Sequence, residues 1–86
     1  MSKIITNDIE RINLVMNQQV SECYSKYGKY ASFHEAMAVF QEEVEELWNE
    51  CKKKTRDFER IESEIIDCMT VLNKMYLDIV IDRNKR

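Results

Sequence analysis

The 86-residue sequence contains no proline and only one glycine, Gly28. Sheet-rich folds need turn-forming residues at short intervals, and this composition does not supply them. The chain must therefore be built from a few long elements, and the α-helix is the regular structure that fits. The length allows a single domain, residues 1–86, with a small core. We therefore expect the fold to be completed by association of identical copies.

The sequence also lacks closely spaced cysteines, an excess of basic over acidic residues, and long apolar runs. Cys23, Cys51 and Cys68 lie far apart, which excludes a disulfide framework or a CxxC zinc site and predicts buried free thiols. The net charge of −3 argues against nucleic acid as a partner. No run is long enough to span a bilayer, and the N-terminus does not resemble a signal peptide. We therefore expect a cytoplasmic protein without a membrane partner.

Apolar residues recur at intervals of three or four in three segments, which predicts helices over about 8–24, 33–54 and 57–81. Asn7 and Ser32 are candidate N-caps, because glutamates follow each of them by three residues. Gly28 lies within the first break, where a positive φ is tolerated. The expected fold is all-α, a bundle of three long helices.

Acidic pairs lie on the second and third predicted helices. Glu43 and Glu46 form one pair, and Glu64 and Asp67 form the other. At 100° per residue, each pair lies beside the apolar stripe of its helix with a matching offset. If the helices pack antiparallel, four carboxylates converge, and a divalent cation would relieve their repulsion. Carboxylate oxygens favour Mg²⁺, with Mn²⁺ as the other option. The alternative interpretation is a set of solvated surface charges.

These acidic residues carry a resemblance to a known family. The run Glu42-Glu43-Val44-Glu45-Glu46-Leu47, followed by Glu64-Ile65-Ile66-Asp67, resembles the EExxE…ExxD motif of the MazG-like all-α nucleoside triphosphate pyrophosphatases. The segment from Lys26 to Ala36 is similar to the same region of small, phage-type members. The resemblance covers roughly residues 24–75.

The resemblance implies a reaction and a set of roles. Glu43, Glu46, Glu64 and Asp67 would bind Mg²⁺, and Glu42 would be an accessory ligand or would orient the attacking water. A nucleoside triphosphate would be hydrolysed between its α and β phosphates. In the family, neighbouring subunits often help to build the site, and we expect this chain to work as a homodimer or homotetramer. In this chain Glu45 replaces a glycine that is common in the family, and no long helix follows the ExxD helix.

Three further residues are candidates for substrate binding. Lys74 follows Asp67 by seven residues on nearly the same helical face, so it could reach a phosphate. Lys54, near the second break, is another candidate cation. Trp48 could stack on a nucleobase. The alternative for the two lysines is a solvated surface position, and for Trp48 it is packing against another subunit.

A non-enzymatic helical interaction module is the main rival hypothesis. The heptad-like spacing of apolar residues on the second and third helices would then be an oligomerisation seam, and the carboxylates would be solvated. A chain that keeps the family fold and binds nucleotide without hydrolysis is a third possibility. The intact acidic motif argues against this last interpretation.

Overall fold

A computed structural model describes residues 3–82, and all regular structure in that range is helical. Helix α1 spans Lys3–Tyr27, α2 spans Phe33–Cys51 and α3 spans Phe58–Met75. A π-helical segment, Tyr76–Ile81, continues directly from α3. The all-α prediction is therefore confirmed for the described residues. None of these helices is long and apolar enough to cross a membrane.

The ends of α1 and α2 differ in part from those predicted. Helix α1 begins at Lys3 instead of about residue 8, so Asn7 lies inside the helix and does not cap it. Helix α2 begins where predicted, because the Ser32 hydroxyl accepts the Glu35 N–H at 3.1 Å. The Glu35 carboxylate in turn accepts the N–H of Ala31 at 3.2 Å. Helix α2 ends at Cys51, so Lys54 belongs to the following loop.

Helix α3 begins one residue later than predicted, and its C-terminal continuation is not α-helical. Asp57 is the N-cap, since its carboxylate accepts the N–H groups of Glu59 at 3.1 Å and Arg60 at 3.3 Å. From Tyr76 onward the hydrogen bonds take the wider π pattern, which is uncommon and is often found near functional sites.

Helix α3 is the centre of the molecule. It packs against α2 on one side and α1 on another, whereas α1 and α2 do not pack directly on each other within residues 3–82. The short connection between α2 and α3 makes them an antiparallel pair. Because α1 and α2 are separated across α3, a groove lies between them. Glu43 of α2 and Asp67 of α3 line this groove.

The described residues form a small core. The buried apolar residues are Met16, Ala36, Cys68 and Val71. All three thiols are free, as predicted, but only Cys68 is buried, and Cys23 and Cys51 are half-buried. Many large apolar side chains remain exposed to solvent instead.

Candidate metal centre

Three carboxylates from two helices meet where α2 packs on α3. Glu43 comes from α2, and Glu64 and Asp67 come from α3, where their spacing of three residues puts them on one face. One oxygen from each side chain lies within 4.8 Å of the other two. Ligand oxygens lie about 2.0–2.6 Å from a bound Mg²⁺ or Ca²⁺, so a single ion can bridge oxygens at this separation.

Glu46, the fourth predicted ligand, lies at the edge of this cluster. Its side chain is exposed, yet it is close enough to hydrogen-bond with both Glu43 and Glu64. We define the acidic cluster as Glu43, Glu46, Glu64 and Asp67. The structure therefore brings together the two acidic pairs that the sequence places on separate helices.

Burial and mutual repulsion raise the pKa values of three carboxylates of the acidic cluster, Glu43, Glu64 and Asp67. Burial, followed by repulsion from Glu46, Asp67 and Glu64, raises the pKa of Glu43 to about 7. Burial and repulsion from Glu46 also raise the pKa values of Glu64 and Asp67. Arg60 opposes the increase at Glu64. Such shifts are typical of carboxylates that share a site without enough neutralising charge.

Two oxygens of the acidic cluster also lack hydrogen-bond partners. Oε2 of Glu43 and Oε2 of Glu64 are both buried and unpaired. Leaving a buried polar atom unpaired costs about 1–3 kcal/mol, and more when the group is charged. The set of hard oxygen donors, their spacing and these two unpaired atoms fit a divalent cation such as Mg²⁺ or Mn²⁺.

A groove of about 550 Å³ opens beside the acidic cluster. Its walls come from the C-terminal half of α1, the loop 28–32, α2 and α3, and they include Glu43 and Asp67. Tyr30, Val39 and Val71 supply apolar surface next to the carboxylates. The volume lies in the range of pockets that bind small molecules and cofactors. The groove therefore combines a charged end with an apolar wall.

Lys74 lines the same groove, but it is held by the protein. The residue is 1% exposed, and its ammonium donates a hydrogen bond to the carbonyl oxygen of Gly28 at 2.7 Å. The ammonium also lies 4.2 Å from the ring centroid of Tyr30 and 5.1 Å from that of Tyr24. Cation–π contacts of this kind stabilise a desolvated ammonium. Lys74 thus supplies a fixed positive charge to the groove wall.

The loop between α1 and α2 is held by the C-terminal part of the described chain. Gly28 has a φ of 68°, which its lack of a side chain permits. The N–H of Tyr30 donates to Asp78 at 3.0 Å, and Lys29 forms an ion pair with Asp82, also at 3.0 Å. Both acidic residues lie in or directly after the π-helical segment. These contacts hold Tyr30 against the groove.

Sequence reasoning missed Asp78 and Asp82 as residues that shape the groove. The Tyr30–Asp78 hydrogen bond joins residues 48 apart in the sequence, and no local motif marks such a pair. The π geometry redirects the side chains that follow it, and the sequence does not reveal that change.

Three other predicted residues lie away from the groove. Glu42 is exposed and does not line the groove, although it precedes Glu43 on α2. Trp48 is 60% exposed and lies outside the groove. Lys54 is exposed in the loop after α2 and is likewise not part of the groove wall.

Comparison of the chain with protein-family models, curated proteins and solved structures found no match. The resemblance to the MazG-like pyrophosphatases therefore rests on the acidic motif and the segment 26–36.

Proposed function

We propose that the protein is a Mg²⁺-dependent nucleoside triphosphate pyrophosphohydrolase, which releases a nucleoside monophosphate and pyrophosphate. One observation carries the proposal. Glu43, Glu64 and Asp67 converge from two helices beside a groove, and two of their buried oxygens have no partner. A solvated acidic surface would not confine carboxylates in this way. A site for a cation and an anionic substrate would.

The acidic cluster would hold the metal, with Glu43, Glu64 and Asp67 as the inner ligands and Glu46 at its open side. When bound, Mg²⁺ neutralises phosphate charge and stabilises the charge that develops during phosphoryl transfer. A net acidic site can bind a triphosphate only if such a cation is present. This requirement links metal binding to substrate binding in the proposal.

The chain's own groups would orient the triphosphate in the groove. Lys74 offers a fixed positive charge, and its position is set by Gly28 and the tyrosine rings rather than by the substrate. Tyr30 and the apolar wall would contact the nucleoside. Trp48 and Lys54 have no role in this arrangement, because they lie outside the groove.

The hydrolytic step would break the anhydride between the α and β phosphates. Water would attack the α phosphorus, the bond to the bridging oxygen would break, and pyrophosphate would leave. Glu42, which the resemblance implies as the residue that orients this water, lies outside the groove, so the proposal assigns the water to the carboxylates of the acidic cluster. Proton removal from the water by a carboxylate is typical general-base chemistry.

A helical interaction module is the second candidate function. The exposed apolar side chains of α2 and α3 favour it, because unpartnered apolar faces are typical of association surfaces. It explains that surface but not the unpaired buried oxygens of Glu43 and Glu64. An enzyme that associates through its apolar face accounts for both observations.

The deciding experiment measures product formation from a panel of ribonucleoside and deoxyribonucleoside triphosphates. Each substrate is incubated with Mg²⁺, with Mn²⁺ and with EDTA. We expect monophosphate and pyrophosphate in equal amounts, only when metal is present. Release of diphosphate and orthophosphate would contradict the proposed bond cleavage. Absence of any product, with a folded protein, would favour the interaction module.

A further inference from the structure

A small recess of about 220 Å³ lies at the N-terminal end of α3. The described residues that line this recess are all polar or charged, and they are Asp57, Glu59, Arg60, Ser63 and Glu64. Glu64 is the member of the acidic cluster that lines the recess, whereas Glu43 and Asp67 line the groove. The acidic cluster therefore lies between two cavities, the groove on one side and the recess on the other.

Arg60 is the basic residue among those that line the recess. Its side chain is 62% exposed, and within residues 3–82 its guanidinium donates no hydrogen bond. Burial raises the pKa of Glu64, and the nearby guanidinium opposes that increase. A planar fork of N–H donors is thus available beside the acidic cluster, and such a fork matches the oxygens of a phosphate group.

The buried carboxylate of Glu50 holds Arg60 beside the recess. Glu50 is 6% exposed, and its Oε2 lies 3.6 Å from Nε of Arg60 and 2.8 Å from Nζ of Lys53. Its other carboxylate oxygen is buried and has no hydrogen-bond partner. Burying a carboxylate is unfavourable unless nearby cations compensate for the lost hydration. Glu50 therefore anchors these two cations, of which Arg60 lines the recess and Lys53 does not.

We propose that the recess binds the β and γ phosphates of the substrate, which leave as pyrophosphate, and that Arg60 donates hydrogen bonds to their oxygens. This assignment rests on the proposed function, and it fixes the direction of the substrate along α2 and α3. With the α phosphate at the acidic cluster, the nucleoside lies in the groove and the diphosphate extends into the recess. The recess has less than half the volume of the groove and a polar lining, which suits a diphosphate better than a nucleoside.

The charge of the recess makes diphosphate binding depend on the metal. Glu59 and Glu64 outnumber Arg60 there, while the Asp57 carboxylate is occupied by backbone N–H groups of α3. These carboxylates repel a free diphosphate, and a divalent cation on Glu64 removes that repulsion. We therefore expect Mg²⁺ and a diphosphate to bind together, each increasing the affinity for the other.

Calorimetric titration of the whole chain with methylenediphosphonate tests the recess, because this diphosphate analogue resists hydrolysis. We expect binding in Mg²⁺ and none in EDTA. Arg60→Gln should raise the dissociation constant at least about tenfold, since an arginine–phosphate contact is a charge-assisted hydrogen bond. Arg60→Lys should recover only part of the affinity, because lysine lacks the planar fork. Circular dichroism checks that each variant keeps its helical content.

Lys53→Gln is the matched control. Lys53 pairs with the same oxygen of Glu50 and is 52% exposed, yet it lines neither cavity. We expect Lys53→Gln to bind methylenediphosphonate nearly as tightly as the unaltered chain. Equal losses of affinity in Arg60→Gln and Lys53→Gln would overturn the proposal, because the effect would then be one of net charge. An unaltered chain that binds no methylenediphosphonate in Mg²⁺ would overturn it as well.

Glu50→Gln tests whether the buried carboxylate positions Arg60. The substitution keeps the shape of the side chain and removes its charge, so the guanidinium should lose its anchor and methylenediphosphonate should bind more weakly. In a chain that already carries Arg60→Gln, adding Glu50→Gln should not change the dissociation constant further. An equal loss in both backgrounds would contradict the positioning role of Glu50.

Turnover of triphosphates separates this proposal from the proposed function. If triphosphates are hydrolysed to monophosphate and pyrophosphate, but Arg60→Gln binds methylenediphosphonate as tightly as the unaltered chain, the recess proposal fails and the function stands. If methylenediphosphonate binds through Arg60 in Mg²⁺ but no triphosphate is hydrolysed, the proposed function fails and the recess stands as a diphosphate site.

Discussion

The two sides of α3 show opposite departures from the usual distribution of polar and apolar residues. On the covered side, Glu64, Asp67 and Lys74 are buried or half-buried. On the solvent side, Phe58 and Ile65 are exposed. Folded domains usually place charges in water and large apolar residues inside. The two sides of one helix therefore differ in kind: one confines charged groups, and the other leaves apolar surface in water.

The two sides should respond to different solution conditions. The acidic cluster lacks counter-charge, so protons and divalent cations should stabilise it. The solvent side of α3, where Phe58 and Ile65 lie, has no titrating groups at its centre, and protein concentration should govern whether it is covered.

The largest effect is expected for Glu43→Gln, which removes a central carboxylate of the acidic cluster. The rate of metal-dependent pyrophosphate release should fall more than about a hundredfold. Substituting even the residues that only hydrogen-bond to metal ligands lowers metal affinity or activity about 10–100-fold, and a direct ligand should matter more. Glu45→Gln makes the same charge change at an exposed position of α2 and should keep its activity. Steady-state kinetics of both variants provide the measurement. Equal activity in the two would exclude Glu43 as a ligand.

A smaller effect is expected for Lys74→Met, which removes the buried ammonium. The Gly28 carbonyl would lose its 2.7 Å partner, and the free energy of unfolding should fall by about 1–3 kcal/mol. Urea denaturation measures the change. Lys52→Met, at an exposed position, is the control and should alter stability by less than about 0.5 kcal/mol. If Lys74→Met is equally neutral, the ammonium is not held as the structure indicates.

The smallest effect concerns pH in EDTA. The pKa of Glu43 rises from 4.5 to about 7 on folding, so the folded chain binds this proton more tightly than the unfolded chain. The associated stability is present below pH 4.5 and is lost as the pH rises through about 7. The melting temperature of the metal-free protein should therefore fall across this window.

Two comparisons assign that pH effect to the acidic cluster. Mg²⁺ should reduce the decrease in melting temperature, because the cation takes the place of the proton. Glu43→Gln should also reduce this decrease, since the amide does not titrate. A variant altered on the solvent side of α3, such as Phe58→Glu, should retain the decrease. A metal-free melting temperature that rises from pH 5 to pH 8 would contradict the burial of Glu43.

Much of the secondary structure and part of the candidate site could be predicted from local pattern. The absence of proline and the apolar periodicity indicate three helices, and Ser32 with Glu35 marks the start of α2. The convergence of the acidic residues follows from their offsets on two helices. These features depend on the geometry within one helix or one turn, which the spacing of residues determines.

Other features depended on contacts between distant residues. Helix α1 starts earlier than its capping motif predicts, and the π-helical segment after Met75 has no local marker. Glu42 and Trp48 lie on α2, as Glu43 does, but they do not line the groove. Periodicity gives the direction of a side chain around its own axis. It does not give the distance from that side chain to a neighbouring helix.

The helical character of this protein and the position of its acidic pairs beside the apolar stripes can be read from the amino-acid pattern. The burial of Lys74 against Gly28, which lies 46 residues away, and the exposed apolar side of α3 became visible with the packing of the helices. Helical periodicity is set by local hydrogen bonding. Burial and pairing are set by how whole helices dock, and that docking sums many weak contacts across the chain.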